Sequence, residues 1–301
     1  MTSLTPGRLI ARSTSQVLKA TDSILNLAQM GLAGPRLAVN WVRLRYLDYV
    51  PRPDDIFIAT YPRSGTTWLQ MALYQLTTDG NMEFDHICRF VPWYELSVMT
   101  GRDLEALPSP RVFKTHLPYR SYLRNIPKGP ARYIYCARNG RDVLVSYYYF
   151  YISHFGFRGT FEEFFEMFMR GRVRFGSWFK HVADWWERRN DPNVLFLRYE
   201  DLTGELEGSL HKIADFCGLK IEPAQLPRIL ERCSLPFMKK HENKFDHIIE
   251  QIIESQVNLG HFIRTGGVGG WRDHLNDQQI TRFDQEYDRR LGLTEINLSG
   301  R

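Results

Sequence analysis

The sequence predicts a single α/β domain: a central parallel sheet flanked by helices. From residue 51 onward, short apolar runs alternate with longer amphipathic stretches, and no internal repeat or low-complexity linker divides them. The residues with chemical function cluster just after the apolar runs, where an open parallel sheet gathers ligands at the carboxyl ends of its strands. Strands are predicted at 56–60, 111–115, 132–137 and 194–199, and helices at 66–78, 142–150, 161–170, 176–189 and 205–217.

Composition bounds the function. The chain has 301 residues, 43% of them hydrophobic, enough for a large globular core. Lys plus Arg number 39 and Asp plus Glu 34. That small excess suits a small anionic ligand or a membrane surface and does not predict nucleic-acid binding. Cys88, Cys136, Cys217 and Cys233 show neither CxxC nor metal-ligand spacing, so the expected site is metal-free and the expected compartment is the reducing cytoplasm. No apolar run reaches the roughly 18 residues of a membrane span.

Residues 1–45 stand apart, with Arg8, Arg12, Lys19, Arg36, Arg43 and Arg45 against Asp22 alone. Leu18, Leu25, Ala28 and Leu32 form a modest apolar stripe, which predicts a basic helical N-terminal extension to a domain over 46–301. A targeting peptide, or weak contact with a membrane surface, stays open for this segment. Nothing in the sequence signals an oligomeric state.

Four segments carry chemistry. In "IFIATYPRSGTTWLQMAL" (56–73) an apolar strand runs through one glycine into a helix. Gly65 permits a tight turn, and the following N–H groups can converge on an anion. Ser64, Thr66 and Thr67 add hydroxyls, Arg63 a charged fork, and Trp68 an indole able to stack on a base. The stretch lacks the second glycine and the Lys-Thr pair of a nucleotide-triphosphate loop. In "VFKTHLP" (112–118), Lys114 and His116 share one face of a strand end. A histidine there can take a proton from an alcohol, and the lysine can stabilise negative charge. In "RYIYCARNGRDVLVSYYYF" (132–150), Arg138 leaves a strand, Asp142 is the expected helix N-cap, and Ser146 lies one turn in, a second anion pocket. "FIRTGGVGGW" (262–271) sets four glycines beside Arg264 as a loop able to close on a ligand. With no acid placed to hold magnesium, these segments point to metal-free transfer of a charged group to a hydroxyl.

Together the segments resemble the cytosolic-type sulfotransferase family, over about residues 50 to 275 and in the family's order. "TYPRSGTTW", "KTHLP", "ARNGRDVLVSYYYF", "FLRYEDL" and "IRTGGVGGW" carry the likeness. It implies a P-loop-kinase-like three-layer fold and 3′-phosphoadenosine 5′-phosphosulfate as co-substrate, released as adenosine 3′,5′-bisphosphate. It implies that Arg63, Ser64, Gly65, Thr66 and Thr67 cradle the 5′-phosphate, with Trp68 at the adenine. Arg138, Ser146, Arg264, Thr265 and Gly266 would serve the 3′-phosphate side. Tyr199, Cys233 and Met238 would serve the base. His116 would be the general base, with Lys114, Arg63 and Ser146 assisting transfer to a hydroxyl, or less often an amine, of a small apolar or aromatic acceptor held by Lys114, His116, Trp93 and Phe150. Arg63 and Thr265 stand where the family usually has lysine, and its dimerisation motif is not recognisable here. These departures keep a non-catalytic nucleotide-binding homologue in view, and more distantly a P-loop kinase.

Overall fold

The computed structural model describes residues 52–122, 131–246, 263, 266–292 and 298. The expected N-terminal extension therefore lies outside the described residues, as do Arg264 and Thr265. Four strands, β1 (Ile56–Thr60), β2 (Val112–Thr115), β3 (Arg132–Ala137) and β4 (Val194–Arg198), form one parallel sheet in the order β2-β1-β3-β4. Alternation along the strands feeds two separate cores. Phe57, Ala59, Phe113 and Tyr135 pack on one face, against α4 (Gly140–Phe155), α5 (Phe161–Met169), α6 (Trp178–Trp186) and α12 (Asp277–Leu291). Ile56, Ile58, Val112 and Ile134 pack on the other, against α1 (Thr66–Thr77), α8 (Leu206–Cys217) and α9 (Leu226–Arg232). The result is three layers, helix on sheet on helix.

Shorter helices complete the layers: α2 (Tyr94–Thr100), α3 (Tyr119–Tyr122), α7 (Tyr199–Gly204), α10 (Leu235–Lys240) and α11 (Asn243–Asp246). Three expectations need correction. Tyr199, expected to end a strand, opens α7 instead. The cap of α4 is Asn139, whose side chain accepts from the N–H groups of Arg141 and Asp142, and Asp142 sits inside the first turn. A 15-residue helix, α12, occupies a stretch where the sequence predicted no element; an Asn276–Gln279 capping box starts it.

The sheet is fastened differently at its two ends. At the amino end, Arg111 and Asp55 form a two-pronged ion pair at 2.7 Å, both side chains fully buried. At the carboxyl end, the backbone of His116, just past β2, is held on both sides of its Cα. Its N–H donates to Glu95 Oε1 (2.9 Å) and its carbonyl accepts from His181 Nε2 (3.2 Å). The other ring nitrogen of His181 lies 2.9 Å from the Tyr135 hydroxyl; in the neutral ring Nε2 carries the proton to the His116 carbonyl and Nδ1 accepts from that hydroxyl. Burial pushes the pKa of His181 from 6.5 down to about 3.

Two stability predictions follow from these fastenings. Asp55→Ala leaves the Arg111 charge without its main partner inside the protein and lowers the unfolding free energy by about 3–5 kcal/mol, measured by denaturant titration. An unfolded His181 takes up its proton near pH 6.5 and the folded one only near 3, so its contribution is present above 6.5 and is lost as pH falls through that window. In His181→Gln, the fall in stability between pH 6.5 and 5 is shallower by roughly 1.4 kcal/mol per pH unit; an unchanged slope contradicts the neutral buried ring.

Candidate active site

The carboxyl ends of β1, β2 and β3 open into one cleft. On the β1 side, Arg63 at φ 70° and Gly65 at φ 92° both adopt left-handed backbone, which turns the chain sharply into α1. No side chain caps α1, so its first N–H groups are left for a ligand, with Thr66, Thr67 and Trp68 lining the cleft. The Tyr199 ring lies against Gly65, and a Cβ on that glycine would stand 2.8 Å from it. Glycine is required there by both conformation and space. Thr66 Oγ1 lies 2.7 Å from Thr60 Oγ1.

Past β2, His116 Nδ1 lies 3.0 Å from the Thr60 carbonyl, an acceptor only. The Thr60 hydroxyl stands further from Nδ1, at 3.3 Å, and the nearer carbonyl places the proton on Nδ1, leaving Nε2 as a bare lone pair. No hydrogen bond reaches Nε2 among the described residues, and the half-buried ring lines the cleft. Burial first, and then the Lys114 ammonium, push the pKa of His116 from 6.5 down to about 3. The ring is uncharged at neutral pH, the state a base needs. A lone parallel bridge pairs Trp93 with Lys114, setting the Trp93 ring edge-on to His116 (5.6 Å) and under Lys114 Nζ (5.4 Å).

Past β3, Arg138 ties the parts together. One arm donates to the Arg63 carbonyl (2.9 Å), the other to the Gly267 carbonyl (2.7 Å), and the guanidinium lies 4.4 Å over Tyr199. Asp142 holds the same glycine loop, accepting from the N–H groups of Gly269 (2.8 Å) and Trp271 (3.2 Å); it does not pair with Arg138 as an isolated carboxylate would. The Tyr199 hydroxyl donates to the Gly266 carbonyl. The start of α4 is closed by Asn139, so the second pocket rests on Arg138, Ser146 and the loop rather than on helix N–H groups. Arg63 Nε donates to Ser146 Oγ (3.1 Å) and joins the two pockets; its guanidinium stacks 5.0 Å from Phe150.

The structure thus brings together Arg63, Gly65, Thr66, Thr67, Trp68, Trp93, Lys114, His116, Arg138, Ser146, Phe150, Tyr199, Met238 and Gly266. Ser64 is buried directly behind them. Cys233 takes part through its carbonyl, which accepts from Trp68 Nε1 (2.9 Å), and burial lifts its thiol to about 12. Two buried donors, Ser64 Oγ and Arg138 Nε, find no hydrogen-bond partner among the described residues. An anion-bearing ligand suits such a lining. Sequence reasoning missed Glu95, His181, Arg174 and Phe175. No spacing rule points to the first two, and the left-handed φ of 72° at Phe175 has no signal in its residue type.

Comparison with known proteins agrees with this architecture. A family model described as a sulfotransferase domain matches residues 53–295. Human Sulfotransferase 1C2 is 34% identical over 275 residues, covering 88% of this chain and 92% of the relative. Mouse Sulfotransferase 1B1 is 36% identical over 270 residues, covering 86% and 89%. Retinol dehydratase in complex with androsterone and inactive cofactor PAP superimposes with a TM-score of 0.72 at 28% identity, over 82% of this chain and 83% of that one. Mouse sulfotransferase SULT7A1 complexed with PAP gives 0.69 at 27%, over 87% and 91%. These neighbours share the P-loop-kinase-like three-layer fold. A match this long, running through every segment that reaches the cleft, establishes the kinship: the chain belongs to the sulfotransferase family and is an enzyme of sulfo-group transfer.

Proposed function

We propose that this enzyme uses 3′-phosphoadenosine 5′-phosphosulfate as donor and a hydroxyl of a small apolar or aromatic compound as acceptor, with His116 as the general base. The PAP complexes of its structural neighbours support the donor. One observation carries the base: the Thr60 carbonyl occupies the Nδ1 side of His116 and leaves Nε2 facing the cleft. Bound in the cleft, the donor supplies the sulfo group and leaves as adenosine 3′,5′-bisphosphate.

The remaining work falls to the protein's own side chains. Nε2 takes the hydroxyl proton, and Lys114, two residues back on the same strand face, sets positive charge where negative charge grows on the transferring oxygens. The first turn of α1 with Ser64, Thr66 and Thr67 holds one anionic end of the donor; Arg138 and Ser146 hold the other. Arg63 reaches between them. Trp68, Tyr199 and Met238 wall the base, while Trp93 and Phe150 wall the acceptor and keep water from the base. This arrangement asks for no metal, and among the described residues no group of three His, Cys, Asp or Glu side chains converges as a metal site. A cytoplasmic location belongs to the same proposal and suits the four free, buried cysteines.

His116→Ala is expected to lower kcat by about 10²–10⁴-fold with a simple phenol acceptor, while calorimetry still detects binding of adenosine 3′,5′-bisphosphate. Turnover undiminished in that variant contradicts the assignment of the base.

A further inference from the structure

One cation of the cleft has no part in the transfer just proposed. Arg174, in the loop between α5 and α6, lines the cleft on the acceptor side. Its guanidinium lies over the rings of Phe155 (5.5 Å) and Phe175 (5.7 Å), and no carboxylate pairs with it among the described residues. Asp142 is the one described carboxylate on the cleft wall, and it is engaged by the glycine loop. An arginine held only against ring faces keeps its in-plane N–H donors for a ligand.

The loop is shaped to present this side chain. Phe175 has φ 72°, a conformation that L-residues rarely adopt, and three tyrosine hydroxyls hold the backbone around it. Tyr151 accepts from the Arg174 N–H (2.6 Å), Tyr147 donates to the Arg174 carbonyl (2.9 Å), and Tyr61 donates to the Gly176 carbonyl (2.8 Å). The main chain of Arg174 is pinned, and its side chain is left to reach along the cleft. The same turn brings the Phe175 ring to 5.3 Å from the His116 ring. Base and guanidinium therefore both lie close to one phenylalanine ring, at 5.3 and 5.7 Å from its centre.

We infer that the acceptor is an anionic hydroxy compound, its hydroxyl at His116 and a carboxylate or similar acid group at Arg174, with an apolar or aromatic body lying along Phe175. This rests on the transfer reading above and specifies its substrate class. A neutral phenol fills the apolar part and leaves the arginine unused. A cationic amine of the same size meets like charge from Arg174 and Lys114.

The experiment compares initial rates of sulfo transfer to 4-hydroxyphenylacetate, 4-ethylphenol and tyramine by the wild-type enzyme and by Arg174→Gln. The main-chain anchors of residue 174 do not involve its side chain, so the loop is retained in the variant. The wild type is expected to favour the acid over 4-ethylphenol by about tenfold in kcat/KM, the range of a charge-assisted hydrogen-bonded pair, with tyramine last. The preference should shrink as salt is raised and disappear in Arg174→Gln. A wild type that treats the acid no better than the neutral phenol overturns the inference, and so does a variant that keeps the preference. Failure of the wild type to transfer to any of the three overturns the transfer reading as well.

Discussion

The site depends on one hydrogen bond, from His116 Nδ1 to the carbonyl of Thr60. The parallel pairing of β1 with β2 produces it: Ala59 lies opposite Thr115, so the residues just beyond them, Thr60 and His116, emerge side by side at the edge of the sheet. A carbonyl can only accept, so the contact decides which ring nitrogen carries the proton. Glu95 and His181 reinforce the placement by gripping the His116 N–H and carbonyl, on the two successive peptide groups that flank its Cα. The base is thus set by the sheet register together with two buried side chains, with no carboxylate at its Nδ1. The imidazole stays neutral because burial and the Lys114 ammonium outweigh the carbonyl contact, which by itself favours the protonated form.

Around that bond, the rest of the cleft is held by contacts that cross between segments. Arg138 donates to carbonyls on both the β1 turn and the glycine loop, while Asp142 and Tyr199 fasten that loop at three further backbone groups. Loop and cradle are therefore tied to each other through the same few side chains. On the acceptor side, aromatic rings make the wall and tyrosine hydroxyls fix its backbone. The strain at Phe175 is local, and the hydroxyls of two α4 residues and of Tyr61 keep it in place.

The sheet was legible in the sequence because its strands are short apolar runs with a function-bearing residue directly after each. β1 and β3 fall where the pattern puts them, and β2 and β4 differ by one residue. The anion cradle was legible for the same reason, since Gly65 marks a place where a strand must turn sharply into a helix. The misses have physical causes. Asp142 reads as a cap by residue type, yet Asn139 is at the right spacing to reach two N–H groups, which frees Asp142 for the loop. α12 is highly polar and buries only Gln279, Phe283, Tyr287 and Leu291, so its apolar stripe is too thin to stand out. Arg174 and Phe175 take their positions from hydroxyls on three distant tyrosines, a constraint that periodicity does not record.

The most direct measurement is nitrogen NMR of the His116 ring in ligand-free protein labelled on histidine. At pH 7 the account predicts a protonated, pyrrole-like Nδ1 and an unprotonated, pyridine-like Nε2, with neither resonance titrating down to pH 5. The opposite tautomer, or a ring that takes up a second proton near pH 6.5, would contradict it.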